Sequence, residues 1–164
     1  MERIIKLAES VLKKHGGRDI FETAENSGVN LWFRPLGGLK GFYICENGRR
    51  YIVINEELDE VTRRVVCAHE LGHDMLHREL SGGGIRESTL FLDSNKTERE
   101  ANIFAASILI PDKELLDMLE YNNSLDSAAY ELGVLPELVE YKLEILNHKG
   151  YSFNLDAVRS DFLK

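Results

Sequence analysis

The segment from Asp59 to His77 constrains the fold most strongly, because it combines an amphipathic helical pattern with a compact group of ionisable residues. His69 and His73 lie four residues apart, so their imidazoles share one face of the predicted helix, one turn apart. Apolar side chains recur at helical spacing over the same segment, at Val61, Val65, Ala68, Met75 and Leu76. A helix of this kind buries its apolar stripe against other elements, so we expect it within a helical core.

Three segments that precede this helix are rich in β-branched and aromatic residues, which is typical of strands: Val29–Arg34, Leu39–Cys45 and Tyr51–Asn55. Asn47 and Gly48 separate the second and third, and both residues tolerate the positive φ angles of a tight hairpin turn. We therefore predict an α+β fold, in which a small three-stranded antiparallel sheet packs on a helical core.

Helical patterns dominate the rest of the chain. One further helix is predicted from Thr97 to Ile110, and two or three more fill residues 112–147. We predict that residues 1–111 form the core of the domain. Residues 112–164 then form a C-terminal helical extension packed on the same domain.

Charge and hydropathy limit the partners of this chain. Its net charge is −8, and residues 112–164 hold 11 acidic and 5 basic side chains. Such an acidic surface repels phosphate backbones and anionic membranes, so neither is an expected partner. No apolar run approaches the roughly 20 residues that span a bilayer. Residues 1–6 also lack the apolar segment of a secretory signal, and we expect a cytoplasmic protein.

The histidine pair predicts a metal site. Two imidazoles one helical turn apart can both bind a single Zn²⁺ ion. Glu70 lies about 100° further round the helix, beside such a metal rather than on it. From that position its carboxylate can take a proton from an attacking water molecule, so the segment His69–His73 carries both metal ligands and a base.

A catalytic zinc usually takes three protein ligands, and the third is not chosen by spacing alone. His77 lies about 12 Å from His69 along a straight helix, which favours a neighbouring role over ligation. Glu98 and Glu100 begin the next predicted helix. Either can supply a carboxylate oxygen, and Glu100 can equally serve the start of its own helix, so these alternatives stay open.

Two motifs taken together resemble the ImmA/IrrE family of metallopeptidases. Residues His69–His77 read HELGHDMLH, and Glu98–Ala106 read EREANIFAA. That family shows a His-Glu-Leu-Gly-His helix, followed by a Glu-Ala-Asn-x-Phe-Ala helix that ends near a proline, here Pro111. Ile110 stands where methionine is common, which is a conservative apolar change.

The resemblance implies a gluzincin-like zinc endopeptidase. The family's general base maps onto Glu70, and its third zinc ligand, the glutamate before Ala-Asn, maps onto Glu100. Members are implied to cleave helix-turn-helix repressors of phages and integrative elements and so to relieve repression. The length of this chain is similar to the short form found on mobile elements.

Two parts of such a mechanism stay open in the sequence. A hydrogen-bond donor to the developing oxyanion is needed, and the candidates are Tyr43, His77, and His148 or Tyr151 near the C-terminus. An extended substrate is expected to pair with an edge of the sheet. Leu39–Cys45, or a possible extra strand at Ser88–Leu92, would offer that edge.

A helix-turn-helix pattern in the C-terminal extension supports a different class of function. Ala129, Gly133 and Val139 have the small-residue spacing of such a unit. A DNA-binding regulator is therefore an alternative, although the second helix would carry three carboxylates and one lysine, which suits DNA poorly. A third possibility is an adaptor that holds a structural metal and sequesters the repressor without cutting it.

Overall fold

The computed structural model describes residues 1–16, 19–78, 86–87, 96–120 and 124–154. The helices within these ranges are α1 (Glu2–His15), α2 (Ile20–Asn26), α3 (Glu60–His77), α4 (Lys96–Leu109), α5 (Asp112–Glu120), α6 (Leu125–Leu132) and α7 (Pro136–His148). The strands are β1 (Asn30–Arg34), β2 (Gly41–Glu46), β3 (Arg49–Asn55) and the short β4 (Arg86–Glu87). No helix in the ranges described is long and apolar enough to cross a bilayer.

The α+β fold is confirmed, but the sheet is mixed and not fully antiparallel. Its strand order is β1-β3-β2-β4. The predicted hairpin joins β2 to β3 through Asn47 and Gly48, at φ angles of 49° and 77°. β1 instead pairs in parallel with β3, from Asn30 opposite Tyr51 to Arg34 opposite Asn55. The prediction of antiparallel pairing was therefore wrong for β1.

The loop between β1 and β2 explains this topology. The side chain of Asn55, at the end of β3, donates to the carbonyl oxygens of Gly37 at 3.1 Å and Leu39 at 3.0 Å. Its Oδ1 accepts from the backbone N–H groups of Leu36 and Glu57. Because the loop is anchored across the end of β3, β2 enters on the far side of β3, and β3 lies between β1 and β2.

The edge of β2 that was expected to receive substrate is partly occupied. Phe42 and Tyr43 pair with the two residues of β4, which is antiparallel to β2. Within the described part of the chain, β1 and β4 are thus the outer strands. The predicted strand at Ser88–Leu92 lies outside the described residues.

Helix α3 forms as predicted and packs against the inner face of the sheet. Asp59 caps its N-terminus by accepting a hydrogen bond from the backbone of Thr62 at 2.9 Å. The approach to the sheet is close: a Cβ added at Gly41 would lie 2.5 Å from Cγ1 of Val66. Because Gly41 of β2 has no side chain, α3 can pack directly against the sheet.

The opposite side of α3 packs against α4, and the two helices approach closely at Gly72. A Cβ at that position would lie 3.1 Å from the Cα and 3.2 Å from the carbonyl oxygen of Ala101. Gly72 thus leaves room for the backbone of α4. This close approach brings the first turn of α4 alongside the histidines of α3.

Replacing Gly72 by valine should lower the free energy of unfolding by about 1–3 kcal/mol, because the added carbons meet backbone that cannot rotate away. Denaturant titration measures this loss. Gly38→Val is the matched control: a Cβ at Gly38 meets no atom within 4 Å in the described residues, and surface changes usually stay within about 0.5 kcal/mol. Equal stabilities for the two variants would contradict the close helix contact.

The predicted helix-turn-helix pattern corresponds to α6 and α7, which Gly133 joins in the left-handed conformation at φ 60°. Helix α7 packs on α4 and α6. Most of its side chains are buried: Leu138, Val139, Tyr141, Lys142, Leu143, Ile145 and Leu146. These side chains lie in the core, and the exposed positions of α7 include the carboxylate of Glu137.

Candidate metal centre

Three buried side chains bring their donor atoms together between α3 and α4. His69 and His73 come from α3, and Glu98 comes from the first turn of α4. The two Nε2 atoms lie 3.1 Å apart. The carboxylate oxygens of Glu98 lie 3.2 Å from Nε2 of His69 and 3.4 Å from Nε2 of His73.

These distances fit a single small cation. Tetrahedral bonds of about 2.1 Å place neighbouring ligand atoms about 3.4 Å apart. The three separations here, from 3.1 to 3.4 Å, are close to that value. Two imidazole nitrogens and one carboxylate oxygen are also a common donor set for zinc in peptidases. The residues present therefore fit a metal ion.

Asn102 sets the orientation of the first histidine. Its Oδ1 lies 2.8 Å from Nδ1 of His69, and both groups are fully buried. An amide oxygen can only accept, so Nδ1 carries the proton and Nε2 keeps its lone pair for a ligand. The amide nitrogen of Asn102 donates to the hydroxyl of Tyr141, at 3.2 Å.

The carboxyl group of Glu98 is held in its charged form. Burial by itself would raise its pKa, but the close contacts with His69 and His73 outweigh that effect and lower the pKa to about 2. A carboxylate that stays ionised across the physiological range is ready to bind a cation.

The assignment of Glu100 as the third metal-binding residue is corrected by this geometry, since the carboxylate in the cluster belongs to Glu98. Two positions along a helix turn the side chain by about 200°, so both glutamates cannot face one metal ion. Oε2 of Glu100 instead lies 3.5 Å from Nε2 of His77. A signal for Glu98 was present in the sequence: it shares a helix face with Asn102, four residues later.

Glu70 lies on α3 directly after His69 and is 1% exposed. A carboxylate excluded from bulk water acts more strongly on nearby protons than an exposed one. Its position next to the histidine pair, on an adjacent face of the helix, is the one predicted for a base beside the metal.

Tyr43 and His77, two of the candidates for oxyanion stabilisation, differ in their surroundings. His77 is buried next to the cluster, and the centroid of its ring lies 5.7 Å from that of His73. The hydroxyl of Tyr43 donates to Oδ1 of Asp74 at 2.8 Å. Burial, and then this hydrogen bond, raise the pKa of Tyr43. The proton of Tyr43 is thus engaged away from the cluster, and His77 is the better placed of the two.

Asp74 is a buried residue that the sequence analysis did not single out. Besides Tyr43 on β2, it accepts from Arg50 on β3 at 2.7 Å and from Arg78 at 3.2 Å. These bonds tie the turn of α3 that carries His73 to two strands of the sheet. No local sequence motif predicts this role of Asp74, because its partners are distant in sequence.

A helix that presents two histidines and a glutamate in this order, and that packs against a second helix supplying a buried carboxylate, defines a metallopeptidase-type site. Comparison with known proteins agrees with that class. The chain belongs to the peptidase M78 family: the family model described as IrrE N-terminal-like domain matches residues 24–144.

Two relatives span most of the chain. Metallopeptidase ImmA of Bacillus subtilis (strain 168) is 28% identical over 156 residues, which cover 91% of this chain and 90% of that protein. A protein of Bacillus phage phi105, described as uncharacterized immunity region protein 2, is 36% identical over 141 residues, with 85% and 89% covered. The resemblance to the ImmA/IrrE family is therefore confirmed.

Proposed function

We propose that this chain is a zinc-dependent endopeptidase of the cytoplasm that cleaves a helix-turn-helix repressor at a specific site and so relieves repression. The observation that carries the proposal is the buried group of His69, His73 and Glu98, with the buried Glu70 next to His69 in the same helix. The similarity to a metallopeptidase and to a phage immunity-region protein supports a peptidase that acts in the control of a mobile element.

His69, His73 and Glu98 would hold the ion, through two imidazole nitrogens and one carboxylate oxygen. A bound Zn²⁺ would supply Lewis acidity, which lowers the pKa of water to around 7 and polarises a carbonyl group. The cluster is buried, so this charge would act in surroundings of low dielectric constant.

The side chains of the chain itself would handle the proton. Glu70 would accept a proton from the attacking water and pass it to the nitrogen of the leaving amine. His77, held near Glu100 and beside His73, would lie close to the oxyanion that forms on the scissile carbonyl. Asn102 would keep His69 in the correct tautomer during the reaction.

Metal removal provides the direct test. A helix-turn-helix repressor encoded next to this chain is incubated with the purified protein, and its fragments are followed by mass spectrometry. We expect one dominant cut with the metal-loaded protein, no cut after chelation, and recovery when Zn²⁺ is restored. An intact repressor in every sample, or fragments that persist after complete metal removal, would contradict the proposal.

The same time course tests one alternative, and a gel shift tests the other. An adaptor would bind the repressor and leave its length unchanged over time. A DNA-binding regulator would retard duplex DNA in a gel shift at moderate salt. The burial of α7 and its exposed carboxylate at Glu137 favour neither DNA contact nor phosphate binding.

A further inference from the structure

We propose that the C-terminal helix α7 contributes to the metal centre through Tyr141. The hydroxyl of Tyr141 positions Asn102, and Asn102 orients His69. The inference rests on the proposed metal site and extends it from α3 and α4 to a third helix. Tyr141 itself is a positioning residue: its hydroxyl contacts Asn102 and not the metal-binding atoms.

The side-chain amide of Asn102 is held at both of its ends. Oδ1 meets Nδ1 of His69 at 2.8 Å, and Nδ2 donates to the hydroxyl oxygen of Tyr141 at 3.2 Å. Asn102 is 0% exposed and Tyr141 is 8% exposed, so water does not readily replace either partner. A hydroxyl can pair with either end of an amide, so the Tyr141 contact fixes the position and the plane of the amide, and the direction is given by the end that meets His69.

That direction matters because the two ends of an amide have opposite hydrogen-bonding character. If the amide turned by 180°, Nδ2 would face Nδ1 of His69 and would donate to it. The proton of the imidazole would then sit on Nε2, the atom that faces His73 and Glu98. A protonated Nε2 cannot bind a metal ion, so the orientation of Asn102 determines whether His69 is a competent ligand.

Removal of the Tyr141 hydroxyl would leave Nδ2 of Asn102 without this acceptor, in a site that excludes water. An unsatisfied buried donor costs free energy, so rotation or displacement of the amide would become more favourable. The effect would reach the metal through Asn102, because Asn102 hydrogen-bonds to both Tyr141 and His69.

Tyr141, on α7, is itself held in place by contacts with α4. The guanidinium of Arg99 lies 6.0 Å from the centroid of its ring, and the same group donates to Glu144 at 2.7 Å. Both contacts join α4 to α7 on the side where Asn102 emerges. The phenol therefore has a fixed position from which to hold the amide.

The test is a zinc titration of the full-length apo protein against a chromophoric chelator. Tyr141→Phe should weaken zinc binding about tenfold, since outer partners of metal-binding histidines commonly contribute 10- to 100-fold. Val139→Ala is the matched control, because Val139 is fully buried on the same helix but carries no polar atom. It should lose thermal stability and keep the wild-type zinc affinity.

A double variant shows whether Tyr141 acts through Asn102. Asn102→Ala should weaken zinc binding more than Tyr141→Phe, and the combined variant should bind zinc as Asn102→Ala does. The Co²⁺ absorption spectrum should change in Tyr141→Phe and remain unchanged in Val139→Ala, because it reports the geometry of the ligands. An unchanged zinc affinity in Tyr141→Phe, or a further tenfold loss in the double variant, would overturn the inference.

Failure of this inference about α7 can be distinguished from failure of the proposed function. If the wild-type protein binds no zinc in the titration, the metal site is wrong. If it binds zinc tightly and Tyr141→Phe does so equally, only the role of α7 is wrong. Neither reading depends on finding the substrate.

Discussion

Replacing Glu70 by glutamine should reduce cleavage of the substrate about 1,000-fold and leave the metal bound. General acid–base catalysis by one side chain commonly contributes 10²- to 10⁴-fold, and an amide can neither accept nor return the proton. The substitution preserves volume at a position that is 1% exposed. The cluster of His69, His73 and Glu98 should therefore keep its ion.

Two measurements separate these effects. Elemental analysis should give equal zinc contents for the variant and the wild-type protein, while the cleavage rate collapses. Glu60→Gln is the control on the same helix, since Glu60 is exposed in its first turn, and it should cleave at the wild-type rate. Cleavage by Glu70→Gln at the wild-type rate would exclude Glu70 as the base.

The second large effect concerns the choice between the two glutamates of α4. Glu98→Gln should weaken zinc binding by at least about 100-fold, because loss of a charged ligand should exceed the 10- to 100-fold cost of losing an outer partner. Glu100→Gln should retain most of the affinity, because Glu100 lies beside His77 and outside the cluster. Both substitutions keep the shape of the side chain.

Competition with a chelator measures both affinities under the same conditions. The two variants differ by two positions on one helix, so a general loss of helix stability would affect them alike. If Glu100→Gln lost the metal and Glu98→Gln kept it, the ligand set in this structure would be wrong and the motif-based assignment would be right.

The elements of the fold were largely predictable, because their signals are local. The apolar periodicity predicted α3, and the Asn47-Gly48 pair predicted the β2–β3 hairpin. The parallel pairing of β1 with β3 was not predictable in this way. It accompanies contacts that are distant in sequence, such as those of Asn55 with a loop 16 to 19 residues earlier in the chain.

The functional site was also predictable only where its signals are local. His69, Glu70 and His73 follow from spacing on one helix, and the structure brings the Nε2 atoms of the two histidines within 3.1 Å of one another. Tyr43 was a candidate because of its chemistry, and only its distant partner Asp74 shows that its hydroxyl is engaged elsewhere. Contacts between elements that are far apart in sequence leave no periodic trace.

By itself, the sequence determined that one helix carries a histidine pair and a neighbouring carboxylate, since four-residue spacing places side chains on one face whatever surrounds the helix. Only the tertiary structure decided which glutamate completes the group. Gly72 lets α4 approach α3 so closely that the face of α4 bearing Glu98 and Asn102 meets the imidazoles, and Glu100 is turned toward His77. The rotation of α4 about its axis and its contact with α3 together determine which glutamate joins the cluster. No sequence motif encodes either of them.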